Sequence, residues 1–265
     1  MQLVNITSTA KGVVHKYGGS SVGTPEKIKA VAARVAKVAK SGQRIVVVAS
    51  AMGGMTDTLI ALAKDMGEVL SPREMDVLLS TGEQQTVSLM AMALNALGVP
   101  AQSLTGWQCG IRTNGNHTRA RITHIDTAAL EDCFSRGVVP VVAGFQGIDG
   151  HGDITTLGRG GSDTTAVALA ASLGFDCDIY TDVDGVYTAD PRKTAGARKL
   201  SSVSYDDMID MSQNGAKVLE TRSVQIAKKY GVKLFVGRSL CENRAEGTYI
   251  VAEAAEMKKT ARAFL

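Results

Sequence analysis

The chain has 265 residues, enough for one large domain or two small ones with a sizeable core. Hydrophobic residues make up 45% and charged residues 21%, a globular balance that argues against disorder. The net charge is only +3, and no Lys/Arg block or aromatic–basic stripe offers a nucleic-acid surface. Cys109, Cys133, Cys177 and Cys241 are scattered without a C-x-x-C pair, which points to neither a disulfide framework nor a zinc site and suits a reducing compartment. The opening "MQLVNITSTAKG" lacks a basic segment followed by an apolar one. No apolar run approaches the roughly 18 residues of a membrane span. A soluble cytoplasmic protein with no membrane partner is expected.

"GVVHKYGG" (12–19) reads as a short strand ending in a glycine turn. In the next segment Thr24 can cap a helix, Pro25 suits its first position and Glu26 its positive end. Ile28, Val31, Val35 and Val38 fall on one face at helical spacing, and Ser41-Gly42 stops the run. "RIVVVAS" (44–50) is a continuous apolar strand of the kind buried on both faces of a parallel sheet. Residues 56–66 and 82–98 predict helices, with Glu83 opening the second, and 101–105 a strand. "GVVPVVAGF" (137–145) is a further strand in which Pro140 predicts an edge or a bulge. A helix over 162–174, a strand over 177–182, a helix over 217–231 and a strand over 233–237 complete the series. Single helices between strands imply β-α-β units: an α/β fold with a mostly parallel sheet covered on both faces. No repeat, low-complexity segment or linker appears, and the expected internal division falls near residue 150. The end of the chain reads as a polar, alanine-rich helical tail.

In such sheets ligands collect at the carboxyl ends of the strands. Four polar, glycine-rich clusters fall there: "KYGGSSVG" (16–23), "ASAMGGMTD" (49–57), "GRGGSD" (158–163) and "TDVDGVYTADPR" (181–192). None matches G-x-x-x-x-G-K-[ST] or G-x-G-x-x-G. Any one alone reads as a tight turn with glycine at positive φ; four together point to a site. Lys16 at a buried strand end beside Gly18 and Gly19 suits a point charge against phosphate oxygens, whereas His15 faces the other way and reads as structural. Asp182, Asp184, Tyr187, Asp190 and Arg192 together suit a nucleoside and its phosphates. Calcium is disfavoured, because no Glu stands twelfth from Asp182. No Ser-His-Asp ordering, H-E-x-x-H or G-x-S-x-G is present.

Taken together, "KYGGSSVG", "ASAMG", "STGEQ", "NHTRARI", "GRGGSDTTA", "TDVDGVYTADPR" and "GAKVL" resemble the aspartate kinases of the amino acid kinase superfamily, over about residues 13–250 and in the family's order. The resemblance implies a three-layer α-β-α sandwich. It implies a catalytic domain over 1–265, with an amino-acid-binding lobe at about 1–150, an ATP-binding lobe at about 151–250 and a tail at 251–265. It implies transfer of the ATP γ-phosphoryl group to the β-carboxylate of L-aspartate, with Mg²⁺ carried mainly on the ATP phosphates and a homodimeric enzyme. Two alternatives keep the fold: a related amino acid as acceptor, or a nucleotide-binding subunit without turnover.

Carried over residue by residue, Lys16, Gly18 and Gly19, with Tyr17 between them, would serve the phosphoryl group, and Ser50 and Thr56 the amino acid. Glu83 resembles the acid that meets the α-amino group. Arg159 resembles the residue that grips the α-carboxylate, with Gly160, Gly161 and Ser162 beside it, and Asp163 the carboxylate that organises Lys16. Thr181, Asp182, Tyr187 and Arg192 resemble the nucleotide pocket, closed by Lys217 and Val218. Departures are Glu220-Thr221, where the family commonly shows His-Pro, and Met55, where threonine is frequent. The family's paired ACT regulatory domains are not expected in this sequence, which leaves room for a separate regulatory chain.

Overall fold

The apolar runs become the strands of one large sheet. The computed structural model describes residues 12–253 apart from Arg192, Lys217 and 240–245. From the amino end come β1 (Val13–Tyr17), a short 3₁₀ turn (Gly19–Ser21), α1 (Pro25–Lys40), β2 (Ile45–Ala49), α2 (Met55–Asp65) and α3 (Pro72–Ala96). Next are β3 (Ala101–Leu104), β4 (Ile111–Thr113), β5 (Ile122–Ile125), α4 (Ala128–Ser135), β6 (Val139–Ala143), β7 (Gln146–Ile148) and β8 (Ile154–Thr156). Then follow α5 (Gly161–Leu173), β9 (Asp176–Thr181), β10 (Ser202–Ser204), α6 (Tyr205–Gln213), α7 (Thr221–Tyr230), β11 (Leu234–Arg238) and β12 (Thr248–Val251).

Eight strands form the main sheet in the order β10-β12-β11-β9-β1-β2-β6-β3, and β1, β2 and β6 are buried along their whole length. From β9 to β3 every neighbouring pair is parallel, and only the β11–β12 pair is antiparallel. The two faces carry two cores. Val13, Tyr17 and Val47 pack with α1 and α3, while Val14, Val46 and Val48 pack with α4, α5, α6 and α7. That arrangement is the three-layer α-β-α sandwich, and strand alternation explains why neighbouring residues feed opposite cores. Among the described residues no helix is long and apolar enough to cross a membrane.

α1 starts as its sequence predicts: Thr24 Oγ1 accepts the Lys27 N–H at 3.3 Å, Pro25 is the first residue, and Ile28, Val31, Ala32, Val35 and Ala36 are buried. The Glu26 carboxyl is held below its usual range by its own backbone N–H and the Thr24 hydroxyl. Val38 is only partly buried.

Four expectations need correction. Glu83 does not open a helix: α3 begins at Pro72, and Gly82 is inside it because a side chain there would meet Ala51 Cβ at 2.9 Å. Pro140 lies in an interior strand rather than at an edge or bulge. It stands opposite Gln102 of the edge strand, and the ladder to β2 starts only at Val141, so its missing N–H breaks no pair there. α7 begins at Thr221 instead of 217, capped by Glu220. Finally, β4, β5, β7 and β8 form a separate four-stranded sheet in the order β5-β4-β7-β8 that the apolar runs did not announce. The predicted tail lies almost wholly outside the described residues.

Candidate active site at the carboxyl ends of the strands

Strand register sets the site. Tyr17 lies opposite Ala49 on β2 and Tyr180 on β9, and Ala49 lies opposite Ala143 on β6. The chain therefore leaves all four central strands at one level, and Gly18, Ser50, Gly144 and Thr181 emerge side by side. Backbone bonds tie these exits together: Gly18 N–H to Tyr180 O at 3.2 Å, Ser50 N–H to Tyr17 O at 3.1 Å, and Gly144 N–H to Ala49 O at 3.0 Å. Glycine at 19 allows close approach, since a Cβ there would stand 2.8 Å from the Ala51 carbonyl.

Alternation turns Lys16 toward the α5 face, where its Nζ lies 2.6 Å from Asp163 Oδ1 with both residues 9% exposed. Oδ1 has no partner of hydrogen-bond geometry among the described residues, so the contact is one of charge. Gly18 is beside the same amine, with its missing Cβ 3.4 Å from Nζ. His15 turns the other way, with Nε2 3.4 Å from Asp178 Oδ2 and Nδ1 3.3 Å from the Tyr17 hydroxyl, in a buried network beneath α1.

Glu83, 4% exposed, accepts the Ala51 N–H on Oε1 at 3.0 Å, while Oε2 is buried with no partner among the described residues. Burial pushes its carboxyl up to about 7, against the lowering effect of the Ala51 N–H. A half-satisfied buried carboxylate is a receptor for a cation.

Across from it, β8 runs into Gly158–Ser162 and the start of α5. Gly158 and Gly160 take left-handed backbone (φ 77° and 68°), and a Cβ on Gly160 would overlap Glu220 Cγ at 2.2 Å. Glu220 therefore packs on this loop while its side chain caps α7 through the Ser223 N–H, and this is what stands in place of the family's His-Pro. Arg159 is exposed at the loop tip, whereas Ser162 is buried and packs where a Gly144 side chain would sit. Thr118 and Phe145, the non-glycine residues at positive φ among those described, both back onto this loop. Such strain gathers at functional sites. Phe145 and Gly144 escaped sequence reading because "AGFQG" reads as the end of a strand; the signal for both is the contact with α5.

The 181–191 segment is more open. Asp182 is exposed and accepts the Thr181 hydroxyl at 2.9 Å. The Tyr187 hydroxyl donates to Asp184 at 3.1 Å, and Lys199 Nζ stands 3.4 Å from the same carboxylate. Asp184, though partly desolvated, is held below its usual range by the Tyr187 hydroxyl and Lys199. Val218 is half-buried near the start of α7. Arg192 and Lys217 lie outside the described residues.

The fold thus brings Lys16, Gly18, Gly19, Ser50, Thr56, Glu83, Gly160, Ser162 and Asp163 to one end of the sheet, with Thr56 in the first turn of α2 and half-buried. His117, Asp149 and Asp153 bring donor atoms within 4.8 Å of one another, but Arg73 already neutralises Asp153 at 2.7 Å. A buried cation, a buried half-free carboxylate and a helix start of glycines can hold a zwitterion and polarise a transferring anion.

The amino acid kinase family model matches residues 11–238. An aspartokinase of Bacillus sp. (strain MGA3) is 55% identical over 91% of this chain and 58% of its own length. The chain spans about three fifths of the curated relatives it matches. Aspartate kinase from Synechocystis superposes with a TM-score of 0.80 at 45% identity, covering 92% of this chain and 40% of that one. Aspartokinase III of E. coli in complex with aspartate and ADP gives a TM-score of 0.81 at 29% identity, covering 93% and 66%.

Proposed function

The chain belongs to the amino acid kinase family, and from that premise we propose that it carries the ATP-dependent phosphorylation of the β-carboxylate of L-aspartate to 4-phospho-L-aspartate. The observation that carries this reading is Glu83: a buried carboxylate with one oxygen bonded and the other free is shaped for a substrate ammonium. The aspartate and ADP bound to the E. coli relative support both ligands.

In this reading Glu83 Oε2 takes the α-amino group, Arg159 takes the α-carboxylate beside Gly160, Gly161 and Ser162, and Ser50 and Thr56 flank the side chain. A β-carboxylate oxygen attacks the γ-phosphorus, the bond to the β,γ-bridging oxygen breaks, and ADP leaves with that electron pair. The acceptor is already ionised near neutral pH, so no general base is required. Lys16 neutralises charge on the moving phosphoryl group, and Asp163 holds Lys16 in place with its charge balanced between turnovers. Gly18 and Gly19 let the backbone approach the phosphates, with Tyr17 stacked on Tyr180 beneath them. Thr181, Asp182, Tyr187 and Val218 form the nucleotide side, to which the family resemblance also assigns Arg192 and Lys217. The nearby carboxylates are engaged, Asp163 with Lys16 and Asp184 with Tyr187 and Lys199, which fits Mg²⁺ held on nucleotide oxygens. There the ion would offset phosphate charge.

The lobes of this reading are the two flanks of the sheet: β3, β6, β2 and β1 with α3 for the amino acid, β9 to β12 for ATP. A homodimer belongs to it as well, with Leu62 on α2, Met66 just after it, and Leu89 and Met92 on the adjoining α3 all exposed. Light scattering reads that state directly. Incubation with Mg-ATP, L-aspartate and hydroxylamine tests the activity. An aspartyl hydroxamate is expected, and a panel of amino acids without any hydroxamate above background overturns the reading.

A further inference from the structure

"NHTRARI" carries no role in the reaction above, yet its Thr118 holds a left-handed backbone (φ 65°), and its carbonyl is the atom that a Cβ on Gly158 would meet at 3.0 Å. The group that holds Thr118 there is Asp76, near the start of α3 and 0% exposed. Its two oxygens accept the Thr118 N–H at 3.1 and 2.9 Å and the Thr156 hydroxyl, and His117 Nδ1 lies 2.8 Å from Oδ2. A carboxylate without exposure persists only when donors saturate it. Here those donors come from two segments that flank the Arg159 loop: residues 117–118, against which Gly158 rests, and Thr156, two residues before Gly158.

Asp76, Ser80 and Glu83 share one buried face of α3 at spacings of four and three. Ser80 adds a second tie, its carbonyl accepting Gln146 Nε2 at 3.0 Å from the β7–β8 hairpin. The helix that carries Glu83 is thereby pinned to the hairpin that feeds Arg159.

We propose that Asp76 is a positioning residue for the amino-acid acceptor, setting the distance between Glu83 and the Arg159 loop by clamping Thr118 and Thr156. This rests on the acceptor reading above. The bonds of Asp76 itself run to the acceptor side, while α7 meets the neighbouring Ala120 and Leu157 carbonyls through Arg222, so loss of Asp76 falls first on the acceptor and separates the two substrates.

The test is steady-state kinetics of the whole chain carrying Asp76→Asn, with L-aspartate and ATP varied in turn. The aspartate KM is expected to rise about tenfold or more and the ATP KM to stay within about twofold, because small misplacement of orienting groups is costly. Adding Thr118→Gly should recover at least about threefold of that defect, since glycine adopts the left-handed backbone without the clamp. An aspartate KM within about twofold of wild type, equal rises in both KM values, or no recovery with Thr118→Gly overturns the proposal; a purely structural residue would lower the active fraction and leave both KM values in place. If Asp76→Asn does not fold, Thr156→Val removes one donor only and is expected to raise the aspartate KM about threefold; no change there also overturns it. A wild-type chain that turns over a different amino acid moves the same comparison to that acceptor. One that turns over none overturns the acceptor reading and this proposal together, whereas an active wild type with an unshifted variant defeats this proposal alone.

Discussion

Around the acceptor, the central polar groups are buried and committed: Lys16 to Asp163, Glu83 to Ala51, Asp76 to Thr118 and Thr156, with Arg159 left exposed at the loop tip. Around the 181–191 segment they are half-exposed and satisfy one another, with Thr181 on Asp182 and Tyr187 on Asp184. The first region is preorganised, and its energetic cost is carried by the fold whether or not a substrate is present. The second exchanges internal hydrogen bonds for ligand bonds, so each of its groups contributes less net affinity. Substitutions should therefore hurt most at the acceptor and phosphoryl centre and least at the nucleotide loop.

The largest expected effect is at Lys16. Lys16→Ala removes the cation from the transferring group and should lower kcat by about a thousandfold or more in the hydroxamate assay. It also strands Asp163 as a buried charge, which costs roughly 3–5 kcal/mol of stability, readable as a lower urea midpoint. Lys16→Ala/Asp163→Ala should regain much of that stability and none of the turnover.

Glu83 comes next. Glu83→Gln is expected to raise the aspartate KM by about a hundredfold, through loss of a buried charge-assisted bond. Its carboxyl titrates near 7 in the fold against an ordinary value of 4.5, so between those values the folded protein binds more protons than the unfolded chain. Stability from this group consequently falls as pH rises through that window, by roughly 3 kcal/mol in all. The Tm of wild type should drop relative to Glu83→Gln between about pH 5 and 7.5. Aspartate binding has the opposite sign, because the ammonium wants the ionised form, and the KM for aspartate should fall as pH rises from about 6 to 8. A flat profile would remove Glu83 from the ammonium site.

Gly160→Ala sharpens the comparison at intermediate size. The left-handed backbone and the overlap with Glu220 should cost about 1–3 kcal/mol and weaken aspartate more than ATP. Smallest is Tyr187→Phe, which removes one half-exposed bond to Asp184. A two- to three-fold change in ATP KM, about 0.5 kcal/mol, is expected with the aspartate KM unmoved. A larger effect there than at Gly160 would break the contrast between the two regions.

Some of this was open to sequence reading because the signals are local. Thr24-Pro25-Glu26 announces α1, "RIVVVAS" announces a strand buried on both faces, and "GRGGSD" announces a glycine turn into a helix. Other features were hidden because their causes are distant in the chain. Gly82 reads as the start of a helix until Ala51 is found pressed against it inside α3, and Pro140 reads as an edge until its place before the β2 ladder is seen. The three-residue strands β4, β7 and β8 are too short for periodicity to show. Asp76 gave no signal, since an aspartate near a helix start is ordinary until its exposure is known.

By itself, the sequence determined the strands at the centre of the main sheet and most of the helices between them, the parallel α/β class, and the residue types that gather at strand ends, because propensity, capping and glycine turns act over a few residues. Only the tertiary structure decided which of those ends are neighbours. Register brought Lys16 to Asp163 across 147 positions (163 − 16), left one oxygen of Glu83 free, and buried Asp76 among donors from two other segments. Those are properties of packing and burial, which arise from residues far apart in the chain and are written in no single stretch of it.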